Sequence, residues 1–241
     1  MGMRKYILLS ILFFSSIQAF AQVDTAWVRR YHGPGGLGDV ANAVAVDKSG
    51  NVYVTGYSVG SGTGPDYATI KYARNGDTVW VRRYNGTGNN VDVANALAVD
   101  DSGNVYVTGS SGTIKYLPNG DSLWARSYGV YGTSIAVDDS GNVYVTGSSG
   151  NDCATIKFAP NGDSLWFRKY NGPGNSVDIG HALALDKNGN VYVTGESFDN
   201  GNSSDFATIK YDPNGDTLWV RRYNGPGNGP DRANALEVDD N

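Results

Sequence analysis

Apolar and polar residues alternate with period two along most of this chain. The first clear unit reads ANAVAVD (Ala41–Asp47), NVYVTG (Asn51–Gly56), DYATIKY (Asp66–Tyr72) and DTVWVRRY (Asp77–Tyr84). Each piece is rich in Val, Tyr, Thr and Ile and is bounded by Gly, Asn and Asp, so the pattern predicts four consecutive strands. DKSGN and DDSGN connect the first strand to the second. ARNGD, LPNGD, APNGD and DPNGD connect the third to the fourth. Both are tight hairpin turns, and in the third-to-fourth connections Asn-Gly supplies the positive φ that short hairpins need.

The unit recurs. VDDSGNVYVTG occurs at Val99–Gly109 and letter for letter at Val137–Gly147, with near copies at Val46–Gly56 and Leu185–Gly195 and a start at Val238. Trp27, Trp80, Trp124, Trp166 and Trp219 mark the same period, spaced 53, 44, 42 and 53 residues apart. Four antiparallel strands repeated at that length predict an all-β fold, a β-propeller. Within residues 22–241, four whole blades span 40–84, 93–128, 132–170 and 179–223. A lone outer strand (24–31) precedes them, and a lone inner strand (232–239) opens a partial blade, 232–241. The expectation is therefore an incomplete propeller, an open arc with unpaired edges and further blades beyond Asn241. Alanine at alternate places in the first strand suits the crowded axis. Tryptophan on the fourth strand fills the widening gap between blades and is expected to pack there rather than stack sugars.

Composition alters the picture at three points. Residues 1–21 carry Arg4 and Lys5, the apolar run Tyr6–Ile17 and Ala19-Phe20-Ala21, which is the layout of a secretory signal peptide. That run is short of the ~20 residues needed for a membrane span. The chain is thus expected to be exported, to the extracellular space, cell surface or periplasm. The single cysteine, Cys153, replaces Tyr67 and Phe206 of other repeats and reads as a packed side chain. A net charge of −5 without basic runs argues against nucleic acid as a partner.

Strand direction puts the uniform a–b and c–d turns on one face and the b–c and d–a loops on the other. Loops vary between blades, as in YSVGSGTGPD (Tyr57–Asp66), SSGND (Ser148–Asp152) and ESFDNGNSSD (Glu196–Asp205). A ligand, protein or glycan, is expected on that loop face. The candidate binding residues are Tyr57, Asp66, Asp92, Asp178, His181, Phe198, Asp199 and Asp205. Asp39, Asp92, Asp178 and Asp231 precede each inner strand, and a ring of them could hold Ca²⁺. The simpler reading is that each accepts backbone N–H groups and fixes its own loop. No other cofactor is expected. Lys71, Lys115, Lys157 and Lys210, with the Arg82–Arg83 and Arg221–Arg222 pairs, read as inter-blade ion pairs or solvated edges. His181 stands where other blades have Asn42 or Asn95, with Asp178 nearby in sequence, but no nucleophile elbow, metal spacing or phosphate loop accompanies it.

The repeated D-x-S/N-G-N-V-Y-V-T-G phrase, followed by A-T-I-K-Y and N-G-D-x-x-W, resembles the bacterial β-propeller repeat family labelled SBBP. The resemblance implies an exported or surface propeller and brings no catalytic residues. The function expected is a non-catalytic binding or scaffold module. The alternatives are a structural spacer of a larger surface protein, or a lyase or hydrolase working at the channel mouth near His181. Clustering of Tyr57, Tyr131 and Phe198 on the loop face would favour binding over the spacer.

Overall fold

The computed structural model describes residues 25–199 and 203–239, so the expected signal peptide lies outside the described residues. Sixteen strands form four sheets, each a blade in chain order from inside to outside. Blade 1 holds β1 (Asp39–Val46), β2 (Val52–Val59), β3 (Pro65–Tyr72) and β4 (Thr78–Tyr84). Blade 2 holds β5 (Ala94–Val99), β6 (Val105–Gly109), β7 (Gly112–Tyr116) and β8 (Ser122–Arg126). Blade 3 holds β9 (Tyr131–Val137), β10 (Val143–Ser149), β11 (Asp152–Phe158) and β12 (Ser164–Tyr170). Blade 4 holds β13 (Asp178–Leu185), β14 (Val191–Phe198), β15 (Ser204–Tyr211) and β16 (Thr217–Tyr223). All pairings are antiparallel, and no helix occurs among the described residues.

The a–b turns are built by one carboxylate each. Asp100 accepts hydrogen bonds from Ser102 N, Asn104 N, Asn104 Nδ2 and the Tyr106 hydroxyl at 2.7–3.0 Å. Asp47, Asp138 and Asp186 repeat the arrangement. In the c–d turns glycine alone takes positive φ (87° at Gly120), and a register shift follows on the fourth strand, where Leu123 is the extra residue between Ser122 and Trp124. The connection is therefore a type I turn closed by a left-handed glycine, not the two-residue Asn-Gly turn with both residues at positive φ.

Every inner strand carries a bulge, at Asn42, Asn95, Thr133 and His181 in turn. The bulge brings the inner strand's backbone against the glycine that ends VYVTG. A Cβ at Gly56, Gly109, Gly147 or Gly195 would run into the carbonyl oxygen of Val40, Val93, Tyr131 or Ile179, which is why glycine closes the phrase in every blade. The bulged side chains then join neighbouring blades. Asn42 donates to Ala94 O at 2.8 Å, Asn95 to Gly132 O at 2.8 Å and Thr133 to Gly180 O at 2.5 Å.

Apolar cores lie between successive blades. Trp80, Trp124 and Trp166 are 6–8 % exposed and pack on Tyr116, Phe158 and Tyr211 of the following blade, with ring centroids 5.9–6.0 Å apart. Their indole N–H groups donate to Pro118 O, Pro160 O and Pro213 O at 3.0–3.1 Å. Beside each ring, Arg82, Arg126 and Arg168 give Nε–H to Gly120 O, Gly162 O and Gly215 O. The recurrent basic residues were expected as ion pairs or solvated edges. Arg82 with Asp121 at 3.9 Å and Arg168 with Asp216 at 3.5 Å are inter-blade ion pairs of that kind, while most hydrogen bonds across the blade junctions go to backbone carbonyls. Lys71, Lys115 and Lys157 likewise lie over tyrosine rings and reach the proline carbonyl of the next turn.

Inner strands touch in the sequence β1, β5, β9, β13, without comparable contact from β13 back to β1, so the ring is not closed. Val40, Val44 and Val46 of β1 are 41–66 % exposed as a result. Residues 25–31 and 231–239 occupy the places of the lone outer and lone inner strand but pair with no sheet. Trp27 still makes the junction contact, to Tyr72 and Arg74 O.

Candidate binding face

On the b–c/d–a face, the carboxylates before the inner strands fasten loops. Gly33 N, Gly86 N, Gly172 N and Gly225 N donate to Asp39, Asp92, Asp178 and Asp231 at 2.5–2.9 Å. Asp92 and Asp178 are 2 % and 0 % exposed, so these residues line no open ring at the channel mouth. Among the described residues, no three His, Cys, Asp or Glu side chains come together as a metal site. Burial opposes ionisation of Asp39, but hydrogen bonds from Ser58 and Gly33 outweigh it and hold the carboxyl below its ordinary value.

The carboxylates that open the third strands are also engaged within their blades. Asp66 accepts from Arg83 at 2.9 Å and Asp205 from Arg222 at 2.9 Å, while Lys169 pairs with Asp152 at 3.0 Å. Each arginine also binds a serine of the second strand, Ser58 or Ser197, through its carbonyl and hydroxyl. The second residue of each Arg pair is thus an intra-blade brace, a role the repeat pattern alone did not separate from that of the first.

Three of the d–a loops share one motif, which the four-residue connection between β8 and β9 lacks. NGTGN, NGPGN and NGPGN place Asn89, Asn175 and Asn228 at φ of 48–51°. The first asparagine of each motif donates to the last. Asp92 N, Asp178 N and Asp231 N then tie these loops to Pro65 O, Asn151 O and Ser204 O at 2.6–2.7 Å. The b–c connections differ in length and composition from blade to blade. These run from two residues between β6 and β7 to five between β2 and β3, where Gly60 N closes on Gly64 O at 3.0 Å.

Tyr57 and Phe198 are half-buried, and Tyr131 is 46 % exposed. They stand on three different blades and make no ring contact with one another. Asp199 ends the described part of the blade 4 loop, with its amide donating to Ser203 O at 3.0 Å. His181 approaches Glu196 rather than Asp178. Its Nε2 lies 3.5 Å from Glu196 Oε1, and Arg232 holds the other oxygen at 2.8 Å. Glu196 is 5 % exposed. It sits where blades 1–3 have Tyr57, Ser110 and Ser148, a departure visible in the repeat alignment that the sequence reading passed over.

Concavities also open beside and between the blades. An apolar groove of about 240 Å³ flanks blade 1, between Trp27, Tyr31 and Tyr72 on one side and Val40, Val54 and Tyr57 on the other. A polar crevice of about 400 Å³ opens on the turn face between blades 2 and 3, lined by Asp100, Asp101, Asp138, Asp139 and Lys115. Its inner carboxylates are taken by their own turns, and burial lowers the Lys115 pKa.

The SBBP β-propeller repeat matches residues 27–62, 79–113, 120–152 and 165–203, which together make up more than half of the chain. The chain belongs to the SBBP β-propeller repeat family. No curated protein matches it. Among solved structures, the SBBP arc is similar to a protein of unknown function from Bacteroides caccae, at 14% identity and TM-score 0.46, covering 76% of this chain and 81% of that one. It is also similar to virginiamycin B lyase from Staphylococcus aureus, at 14% identity and TM-score 0.49, covering 77% of this chain and 56% of the lyase. The WD40 domain of Neurospora crassa Pan2 matches at 10% identity and TM-score 0.50, covering 76% of this chain and 66% of that domain. At such identities the likeness concerns the fold alone, and the SBBP arc spans little more than half of the lyase.

Proposed function

We propose that the chain is a non-catalytic binding and scaffold module. It acts outside the cytoplasm and engages a protein or glycan through its b–c/d–a face. The observation that carries this reading is the division of labour on that face. Buried Asp–Gly and Asp–Arg bonds hold the frame in register, while the b–c connections differ in length and composition from blade to blade. Rigid scaffolds with variable loops are where recognition usually resides. The export layout of residues 1–21 supports action beyond the cytoplasm.

The test is a loop exchange. Screen the chain against immobilised glycans and extracellular proteins, then repeat with Gly60–Gly64 replaced by the two-serine connection of blade 2. The expected outcome is loss of the wild-type interaction at an unchanged melting temperature. Binding indifferent to the exchange, or no binding to any probe, would favour the spacer.

His181 and Glu196 support a second reading, a lyase or hydrolase. A histidine nitrogen 3.5 Å from a buried carboxylate is a plausible acid–base couple. Turnover of a lactone or ester panel that disappears in His181→Ala, with circular dichroism unchanged, would establish it.

A further inference from the structure

We propose that the hydroxyl opening each outer strand, on Thr78, Ser122, Ser164 and Thr217, is the attachment site of an O-linked glycan. The four outer strands begin alike, with Asp-Thr-Val at 77–79, Asp-Ser-Leu at 121–123 and 163–165, and Asp-Thr-Leu at 216–218. All four hydroxyl residues are exposed, and their hydroxyls have no hydrogen-bond partner among the described residues. The residue after each of them, Val79, Leu123, Leu165 or Leu218, is 52–53 % exposed.

Neighbouring side chains of a regular strand point to opposite faces. The outer strands depart from that rule at this place. Tyr116 pairs with Ser122 but Lys115 with Trp124, which leaves Leu123 as an extra residue, and the other three blades repeat the shift. A bulge re-aims side chains, and this one turns a hydroxyl and an aliphatic group into solvent together. The blades do not use either group, since none of the four aliphatic residues joins a hydrophobic core. Each stands on the free edge strand of its sheet, where an exposed apolar side chain invites edge-to-edge association. A glycan on the adjacent hydroxyl removes that hazard, because it is bulky and solubilising and covers the aliphatic group and the edge at once.

The hydroxyls are presented on a fixed turn. Asn75, Asn119 and Asn161 donate from Nδ2 to Asp77, Asp121 and Asp163 at 2.8–2.9 Å, and in blade 4 Asp216 N donates to Asp212 at 2.8 Å. The a–b turns offer a contrast. Their exposed Ser49, Ser102 and Ser140 give way to Asn188 in blade 4, and a glycine follows each. Phosphate suits the outer hydroxyls poorly, because the carboxylate one residue before would repel it. The glycans project from the outer rim on the turn side, so the b–c/d–a face stays free. Attachment is a substitution at the anomeric carbon of a phosphate-activated sugar. The hydroxyl oxygen forms the new bond to that carbon, and its proton passes to a base of the glycosyltransferase. The carbon–oxygen bond to phosphate breaks, its electron pair leaving with the phosphate. The proposal rests on the reading that the chain acts outside the cytoplasm.

The test is peptide mass spectrometry of the full chain purified from its own organism. Trypsin releases residues 75–82, 116–126, 158–168 and 211–221, each with a single serine or threonine, so a mass increment on one of them names its site. Sugar increments are expected on these four peptides, with loss of the sugar on alkaline β-elimination. Ser122→Ala should clear the increment from 116–126 and leave the other three. Its side chain makes no hydrogen bond, so the variant should melt with the parent chain. Bare peptides from a chain that begins at Gln22 would overturn the proposal and leave export standing. Bare peptides from a chain that still carries residues 1–21 would overturn both. Increments confined to other peptides would overturn it as well.

Discussion

Asp100 shows how much one side chain settles in this protein. Partial burial opposes its ionisation, yet four donors outweigh that and hold its carboxyl below the ordinary 3.8. Asp47 and Asp186 are lowered in the same way. Because the folded-state values lie below the unfolded ones, the stability these groups contribute is complete above about pH 4. It fades as pH falls through the folded values. The urea midpoint should therefore drop between pH 5 and 3, and Asp100→Asn should lower it at pH 6 while flattening that drop. Equal slopes for the two proteins would contradict the assignment. Cys153 makes the opposite case. Full burial pushes its thiol up to about 12, so thiol reagents at pH 8 should fail to label the native chain and label it on unfolding. Rapid native labelling would mean that the junction between blades 3 and 4 opens.

At the scale of the element, the blade junction is the unit of stability. A blade's own ladder is completed by the tryptophan of the blade before it, so the same residue type differs in worth with position. Trp124→Ala should cost about 3–5 kcal/mol, the loss of a buried ring and a cavity behind it. Trp219→Ala in this chain should cost less than half as much, because no turn packs on its ring among the described residues. Urea unfolding of both variants by tryptophan-independent circular dichroism checks the ranking, and equal losses would contradict it. The turns, the strand order and the packing of Trp80, Trp124 and Trp166 were legible in the period-two pattern and the repeat. The inner-strand bulge was not. It depends on where the chain meets its neighbour, and Asn42, Asn95, Thr133 and His181 share no residue type that would announce it.

For the whole molecule, four blades make an arc with two unlike ends. One end is partly covered by Trp27; at the other, Arg221 lies over Trp219 with no turn against them among the described residues. Each blade depends on the next, and stability in such arrays is close to a sum over neighbours. The loop face behaves differently. Its Asp–Arg bonds are internal to each blade and its Asp–Gly bonds lie in the d–a loops, so exchanging the Gly60–Gly64 connection while keeping Pro65, whose carbonyl holds Asp92 N, should change recognition without loosening the junctions.

The sequence by itself determined the all-β class, the four-stranded repeat, the strand order within each blade and the place of each tryptophan. These follow from local periodicity, turn chemistry and repetition, which need no knowledge of neighbours. Only the tertiary structure decided which partner each polar group takes. Arg82 and Arg83 are adjacent in sequence, but strand alternation sends one to the next blade's turn and the other to Asp66 of its own blade. Asp66 and Asp205 look like loop-face ligands in the sequence and are buried in ion pairs in the fold. His181 meets Glu196 because the strands that carry them lie side by side, with Ile179 opposite Glu196. Hydrogen-bond partners are chosen by register and burial across chain segments far apart in sequence, and that information exists only once the blades are packed.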